Sequence, residues 1–232
     1  MERILTYIAT TPRALQYLLS VPVILIALTF HEVSHGYAAY KLGDPTARSL
    51  GRLSLNPLHH LDPIGAICML LFRFGWARPV PINSRYFKKP RRDMALTALA
   101  GPLCNLVLSF LSLLIYYFAF YGTVLLAKNY ELSDFACKFL AYLLLMLNLG
   151  HHLNLSLCIF NLIPIPPLDG SRILYVFLPP KYYFGLMKYE RYVSIALLLL
   201  LWLGIADIPL AYVTSRVSDA MTFIINLIPL KF

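Results

Sequence analysis

The feature that most constrains this chain is a series of long apolar runs. A transmembrane helix needs roughly 20 consecutive apolar residues to cross the hydrocarbon of a bilayer. Runs near that length occupy residues 14–39, 95–121 and 139–163, and an apolar pair covers 192–206 and 208–229. Of the 232 residues, 59% are apolar and only 13% are charged, which excludes an ordinary soluble domain. The sequence therefore predicts a polytopic membrane protein.

The breaks between the runs predict how the segments are arranged. Gly43-Asp44-Pro45 marks the end of the first helix. Residues 47–55 alternate polar and apolar side chains, which indicates a short membrane-associated β element. The apolar piece at 64–72 is too short for a full crossing and favours a re-entrant hairpin. We therefore expect an all-α polytopic membrane protein, a single domain over 1–232, with about five to six transmembrane segments.

The charge of the chain is explained by membrane topology. The formal net charge is +9, and in membrane proteins Lys and Arg collect in cytoplasmic loops. With the 64–72 piece re-entrant, most of the basic residues fall on the face that also carries the polar motifs below, so we expect those motifs near the cytoplasmic face of the cell membrane. No nucleic-acid-binding module is visible, and the four cysteines show no metal-binding spacing.

A His-Glu-x-x-His motif interrupts the first apolar run. Its residues are His31, Glu32 and His35. Residues four apart project from the same face of a helix, so the two imidazoles can bind one metal ion while Glu32 stands beside them as a base. Ionisable groups inside a membrane segment are costly and rarely persist without a function. The motif predicts metal-dependent hydrolysis.

A third ligand is expected from Asp169. It follows Pro164, Pro166 and Pro167 at the end of the 139–163 run and precedes Gly170. Prolines remove backbone donors, and such irregular backbone is tolerated at membrane depth only where it is buried in protein or lines a wet cavity. A simple helix-ending turn would account for the pattern equally well by itself. The incomplete ligand set of the His-Glu-x-x-His motif favours a ligand loop.

Several longer words in the sequence match one known family. They are, in order, His31-Glu32-Val33-Ser34-His35-Gly36-Tyr37, Gly43-Asp44-Pro45-Thr46-Ala47, Gly51-Arg52-Leu53-Ser54-Leu55-Asn56-Pro57-Leu58, Asp62-Pro63-Ile64-Gly65, Phe74-Gly75-Trp76-Ala77-Arg78-Pro79-Val80-Pro81-Ile82-Asn83, Ala100-Gly101-Pro102-Leu103-Cys104-Asn105, and the stretch 161–170. Together they resemble the site-2 protease family of intramembrane zinc metalloproteases, in its compact branch without PDZ or CBS domains. The likeness covers most of residues 20–180.

The resemblance implies a function and a set of site residues. By it, the chain is a zinc metalloendopeptidase that hydrolyses a peptide bond within or near a transmembrane segment of a membrane-protein substrate. One Zn²⁺ per chain would be bound by His31, His35 and Asp169, with Glu32 as the catalytic base and acid. Asn105 and Asn161 match family asparagines and would support the site or position the substrate. The catalytic core would cover about 14–180, followed by a C-terminal helical pair at about 190–230.

Other interpretations stay open at the level of sequence. A membrane metal transporter or a non-hydrolytic metal-binding protein would use the same His and Asp residues, although a transporter needs ligands along a path. The adjacent pairs His59-His60 and His151-His152 are not part of the family pattern, and we expect hydrogen-bonding roles for them because neighbouring residues on a helix point in different directions. A regulatory membrane protein is a further expected partner, and the sequence leaves the oligomeric state open.

Overall fold

The computed structural model describes residues 1–65, 77–179, 181–182, 185, 188–205 and 207–228. Within these ranges the chain is mainly helical, which confirms the predicted all-α class. In chain order the helices are α1 (Glu2–Thr10), α2 (Arg13–Lys41), α3 (Thr46–Ser49), α4 (Pro90–Asn129), α5 (Asp134–Asn161), α6 (Asp169–Leu174), α7 (Glu190–Trp202) and α8 (Asp207–Asn226).

Among the described residues, three helices are long and apolar enough to cross a membrane. These are α2, α4 and α5, with 29, 40 and 28 residues. They pack together, since α4 contacts both α2 and α5 and α2 also contacts α5. Lys41 ends α2 just before Gly43, where φ is +111°, as the predicted stop requires. Ser133 caps α5 by accepting the N–H of Ala136.

The described residues do not support the predicted count of five to six transmembrane segments. α7 has 13 residues and is therefore roughly 20 Å long, less than the roughly 30 Å of hydrocarbon. α8 carries Asp207, Arg216 and Asp219 and falls short in apolar character. The predicted re-entrant hairpin falls mainly on residues 66–76, which lie outside the described residues.

The predicted β element at 47–55 is wrong in the part of the chain that the structure describes. The Asp44 carboxylate accepts the N–H of Thr46 at 2.9 Å, which turns the chain into the short helix α3. Gly51 follows with a φ of +65°, the left-handed conformation that ends helices. The apparent alternation was thus a helical turn followed by an extended loop. Beyond it, an isolated antiparallel bridge joins Leu61 to Ala77.

Two apolar clusters hold the outer helices onto this three-helix core. Ile4 of α1 is fully buried against Cys137, Ala141 and Leu144 of α5. Met221 and Ile225 of α8 pack with Leu113 of α4 and Leu155 of α5. α8 therefore lies alongside the spanning helices, although it does not have their composition.

Candidate metal centre

α2 presents two buried imidazoles from one side. His31 and His35 are separated by about one helical turn, so their side chains project in the same direction. Both residues are 6% exposed, and their rings meet edge to face with centroids 4.5 Å apart. The face that carries them is the one that packs against α4.

A proline-rich turn brings Asp169 to these imidazoles. α5 ends at Asn161 and α6 begins at Asp169. The return of the chain is tight, because a Cβ on Gly170 would collide with the carbonyl oxygens of Leu162 and Ile163. As a result, Asp169 Oδ2 lies 3.2 Å from Nε2 of His31 and 3.2 Å from Nε2 of His35.

The three atoms form a triangle of electron-pair donors. The two Nε2 atoms of His31 and His35 are 3.0 Å apart, close to the distances that each makes to Asp169. Each imidazole directs its Nδ1 at an oxygen that can only accept, Asn105 Oδ1 at 2.6 Å for His31 and the carbonyl of Thr97 at 2.8 Å for His35. The Nδ1 atoms therefore carry protons, and the Nε2 atoms are the ring nitrogens left to bind a metal ion.

Such a triangle requires positive charge at its centre. A carboxylate oxygen and two imidazole nitrogens that face one another within 3.2 Å are stabilised by a cation between them. Two imidazole nitrogens and one carboxylate oxygen are also the ligand set of catalytic zinc, which keeps a further position open. In the described residues, these three form the group of His, Cys, Asp and Glu side chains placed to hold a metal ion.

A buried amide chain fixes the orientation of His31. Asn105 is fully buried, and its Nδ2 donates to Asn154 Oδ1 at 2.8 Å and to the Ala27 carbonyl at 3.3 Å. Asn154 in turn donates to the Gly150 carbonyl at 2.8 Å. These bonds leave Asn105 Oδ1 facing His31, so α2, α4 and α5 all contribute to holding one imidazole. Partners of this kind set the tautomer of a metal-binding histidine.

Gly101 allows α4 to approach the two histidines closely. A Cβ at this position would lie 2.6 Å from His31 Cε1 and about as close to the ring of His35. Any larger residue would therefore displace the imidazoles. Gly101 and Asn105 lie on the same face of α4 and form the part of the helix that contacts the site.

Glu32 directly follows the first of these histidines, and its carboxylate is held by a loop. Its side chain is half-buried, and Oε2 accepts the backbone N–H of Val80 at 2.8 Å. In the described residues Oε1 makes no hydrogen bond. One carboxylate oxygen is thus anchored by the loop, and the other is not.

Asn161, His60 and His151 make hydrogen bonds outside the triangle. Asn161 Nδ2 bonds the Leu157 carbonyl of its own helix at 3.0 Å, which does not bring it to the triangle. His60 bonds the Ser54 carbonyl at 2.7 Å. His151 bonds Ser109 and Ser218, each at 2.8 Å.

Sequence reasoning missed two groups that support the site, one through Asn105 and one directly. Asn154 had a usable signal, since it is an amide inside an apolar run, where polar groups mark interactions between helices. The Thr97 carbonyl gave no signal in the sequence, because it belongs to the backbone.

Comparisons with known proteins agree with the chemistry of this centre. A model of the family described as Peptidase family M50 matches residues 20–203. YwhC of Bacillus subtilis is 42% identical over 179 residues, which cover 76% of this chain and 77% of YwhC. Rip2 of Mycobacterium tuberculosis is 29% identical over 76% of this chain and 63% of its own length.

A third relative comes from an archaeon. MJ0611 of Methanocaldococcus jannaschii is 29% identical over 69% of this chain and 71% of its own length. All three relatives carry the name "putative zinc metalloprotease". No solved structure gives a significant match to this chain.

Proposed function

The chain belongs to peptidase family M50, the site-2 protease family of zinc metalloproteases, and from this premise we propose that it hydrolyses a peptide bond within or near a transmembrane segment of a membrane-protein substrate. The observation that carries the proposal is the convergence of His31, His35 and Asp169 inside a bundle of candidate membrane-spanning helices. His31 lies roughly 15 Å along the axis of α2 from the end of the helix at Lys41. The proposed site is therefore within the bundle and not on an exposed domain.

His31, His35 and Asp169 are the proposed zinc ligands. Zinc held by two imidazoles and a carboxylate acts as a Lewis acid that polarises a carbonyl and acidifies water. Other groups of the chain fix the orientation of these three ligands. Asn105 orients His31, the Thr97 carbonyl orients His35, and the turn before Gly170 positions the carboxylate of Asp169.

Glu32 is the proposed general base and acid. It is next to the first ligand in sequence, and its Oε1 atom is not engaged by a hydrogen bond in the described residues. A carboxylate held at one oxygen can accept a proton from water at the other and later return it to the leaving amine. Removing such a base typically lowers the rate by about 10²–10⁴-fold.

The substrate is proposed to be a transmembrane helix that unwinds locally. In a helix each peptide bond is hydrogen-bonded within the segment and shielded by side chains. Cleavage therefore requires the segment to expose its backbone near the site. A substrate with weak helix formers close to the cleaved bond should be cut faster than one with leucine at those positions.

The proposed orientation places the site toward the cytoplasm. The end of α2, the start of α4 and the turn after α5 lie together, because His35 contacts Thr97 and Asp169. The segments that adjoin this end carry many cations, among them Lys41, Arg48, Arg52, Arg78, Arg85, Lys88, Lys89, Arg91, Arg92 and Arg172. Such an excess marks the cytoplasmic side.

A cleavage assay with purified protein tests the proposal. The substrate is a single transmembrane helix with a different tag at each end, supplied in detergent and in proteoliposomes, and fragments are mapped by mass spectrometry. We expect cuts within or next to the helix, inhibition by a zinc chelator, and loss of at least 100-fold in rate for Glu32→Gln. Glu131→Gln changes an exposed loop acid and should cleave normally. Cleavage by Glu32→Gln at the wild-type rate, or cuts confined to soluble flanks, would contradict the proposal.

A further inference from the structure

A loop with an unusual arrangement of prolines lies against α2 beside Glu32. Pro79 and Pro81 flank Val80, and proline has no backbone N–H. Val80 therefore contributes the one amide donor between residues 78 and 82. Arg78 and Val80 each precede a proline, which favours extended backbone at both positions. The sequence thus isolates a single N–H on a stiff segment.

One face of α2 holds both the backbone and the side chain of Val80. Its N–H donates to Glu32 Oε2 at 2.8 Å. Its side chain is 6% exposed and packs where a Cβ on Gly36 would lie 3.0 Å from Val80 Cγ1. Glu32 and Gly36 are four residues apart and so share a helix face.

Arg52 holds the other side of the same peptide group. Its Nη2 donates to the carbonyls of Arg78 at 2.7 Å and Pro79 at 3.3 Å. The Pro79 carbonyl and the Val80 N–H belong to one planar amide. A cation at the oxygen and a carboxylate at the hydrogen polarise this amide in the same sense, so each contact strengthens the other.

We propose that Arg52 is a positioning residue of the reaction, acting through the Pro79–Val80 peptide to hold Oε2 of Glu32 and leave Oε1 free to transfer the proton. The inference rests on the proposed role of Glu32 as the base. It extends the proposed site beyond the zinc ligands and Glu32 to Arg52 and the Pro79–Val80 peptide.

The loop has other anchors that do not depend on Arg52. The Arg78 N–H donates to the His60 carbonyl at 2.8 Å. The Asn83 N–H donates at 2.6 Å to Asp44, which is fully buried. Removal of the guanidinium should therefore leave the loop in place while it weakens control of Glu32, and this separates positioning from a general loss of structure.

The first experiment compares substitutions of Val80. Val80→Pro deletes the N–H, whereas Val80→Ala keeps it and shortens the buried side chain. We expect Val80→Pro to lower kcat at least 10-fold, with KM and zinc content near wild type, and Val80→Ala to lower it less. An equal kcat for the two variants would overturn the proposal.

The second experiment tests Arg52 directly. Arg52→Ala should lower kcat at least 10-fold with KM and zinc content unchanged, and Arg52→Lys should recover part of the loss because it restores a cationic donor. Arg48→Ala is the matched control, since Arg48 is an exposed neighbour that contacts Tyr40. Arg52→Ala activity equal to that of Arg48→Ala would refute the role of Arg52.

Hydrogen exchange gives a readout that is independent of activity. A peptide covering residues 78–83 has few exchangeable amides because of its prolines, so the Val80 amide is a large part of its signal. Glu32→Ala should make one amide of this peptide exchange faster, and unchanged exchange would contradict the contact. If Glu32→Gln cleaved normally, the proposed function itself would fail. An inactive Glu32→Gln together with a fully active Arg52→Ala would instead refute only this inference.

Discussion

Asn105→Ala is the substitution that most sharply tests how the metal centre is supported. The side chain of Asn105 is fully buried and links His31 to Asn154. Its removal leaves the His31 Nδ1–H and the Asn154 Oδ1 atom without their partners. A buried polar group that loses its partner costs about 1–3 kcal/mol. We therefore expect a less stable fold and a less well oriented His31 imidazole.

The expected effect on zinc follows from the same contacts. Loss of the group that orients a metal-binding histidine typically lowers metal affinity about 10–100-fold, which is about 1.4–2.7 kcal/mol. Asn154→Ala should have a smaller effect, because His31 keeps its acceptor and only the next bond in the chain is lost. Asn161→Ala should bind zinc as wild type does, since its amide bonds only the carbonyl of Leu157.

The assay is competition for zinc against a chromophoric chelator, at one pH and in one detergent, with melting temperature recorded for each variant. We predict the order Asn105→Ala weakest, then Asn154→Ala, then Asn161→Ala equal to wild type. Asn105→Ala with the zinc affinity of Asn161→Ala would refute the amide chain as the support of His31.

Three further substitutions have expected outcomes. Gly101→Ala should lower zinc affinity at least 10-fold, because its Cβ would lie 2.6 Å from His31 Cε1. Gly122 lies on the same helix, and a Cβ there meets nothing within 4 Å. Gly122→Ala should therefore raise the melting temperature slightly, since alanine favours helix over glycine by about 1 kcal/mol. His151→Ala should lower the melting temperature, since it removes a buried bond to Ser109, yet leave zinc stoichiometry at the wild-type value. Zinc affinity and thermal melts on the same samples check all three predictions. A normal zinc affinity for Gly101→Ala would contradict the close packing of α4 against the two imidazoles.

The metal-binding residues and the long helices could be predicted from the sequence because they follow from local spacing and composition. The spacing of His31 and His35 sets a common helix face whatever the rest of the fold does, and long apolar runs produce spanning helices by the same logic. Asp169 was found through the demand for a third ligand and the run of prolines before it. The structure brings these three side chains together as that reasoning expected.

What the sequence did not reveal depends on long-range contacts. Residues 47–55 alternate like a strand, but the Asp44 carboxylate and the left-handed Gly51 make a helical turn there. Asn161 and Asn154 look alike in the sequence, and only packing against α4 shows that Asn154 bonds Asn105. The contacts of Arg52 and Glu32 with the Pro79–Val80 peptide involve backbone atoms, which carry no sequence signal of their own.

The central claim is that His31, His35 and Asp169 form one zinc site. The most direct test is zinc per chain in detergent-purified protein, comparing wild type with His31→Ala, Asp169→Ala and Glu32→Gln. We predict about one zinc in wild type and in Glu32→Gln and its loss in the other two variants, because two imidazoles and a carboxylate complete the protein ligands of a catalytic zinc ion. Full zinc content in Asp169→Ala would contradict it, since the turn after α5 would then not supply a ligand.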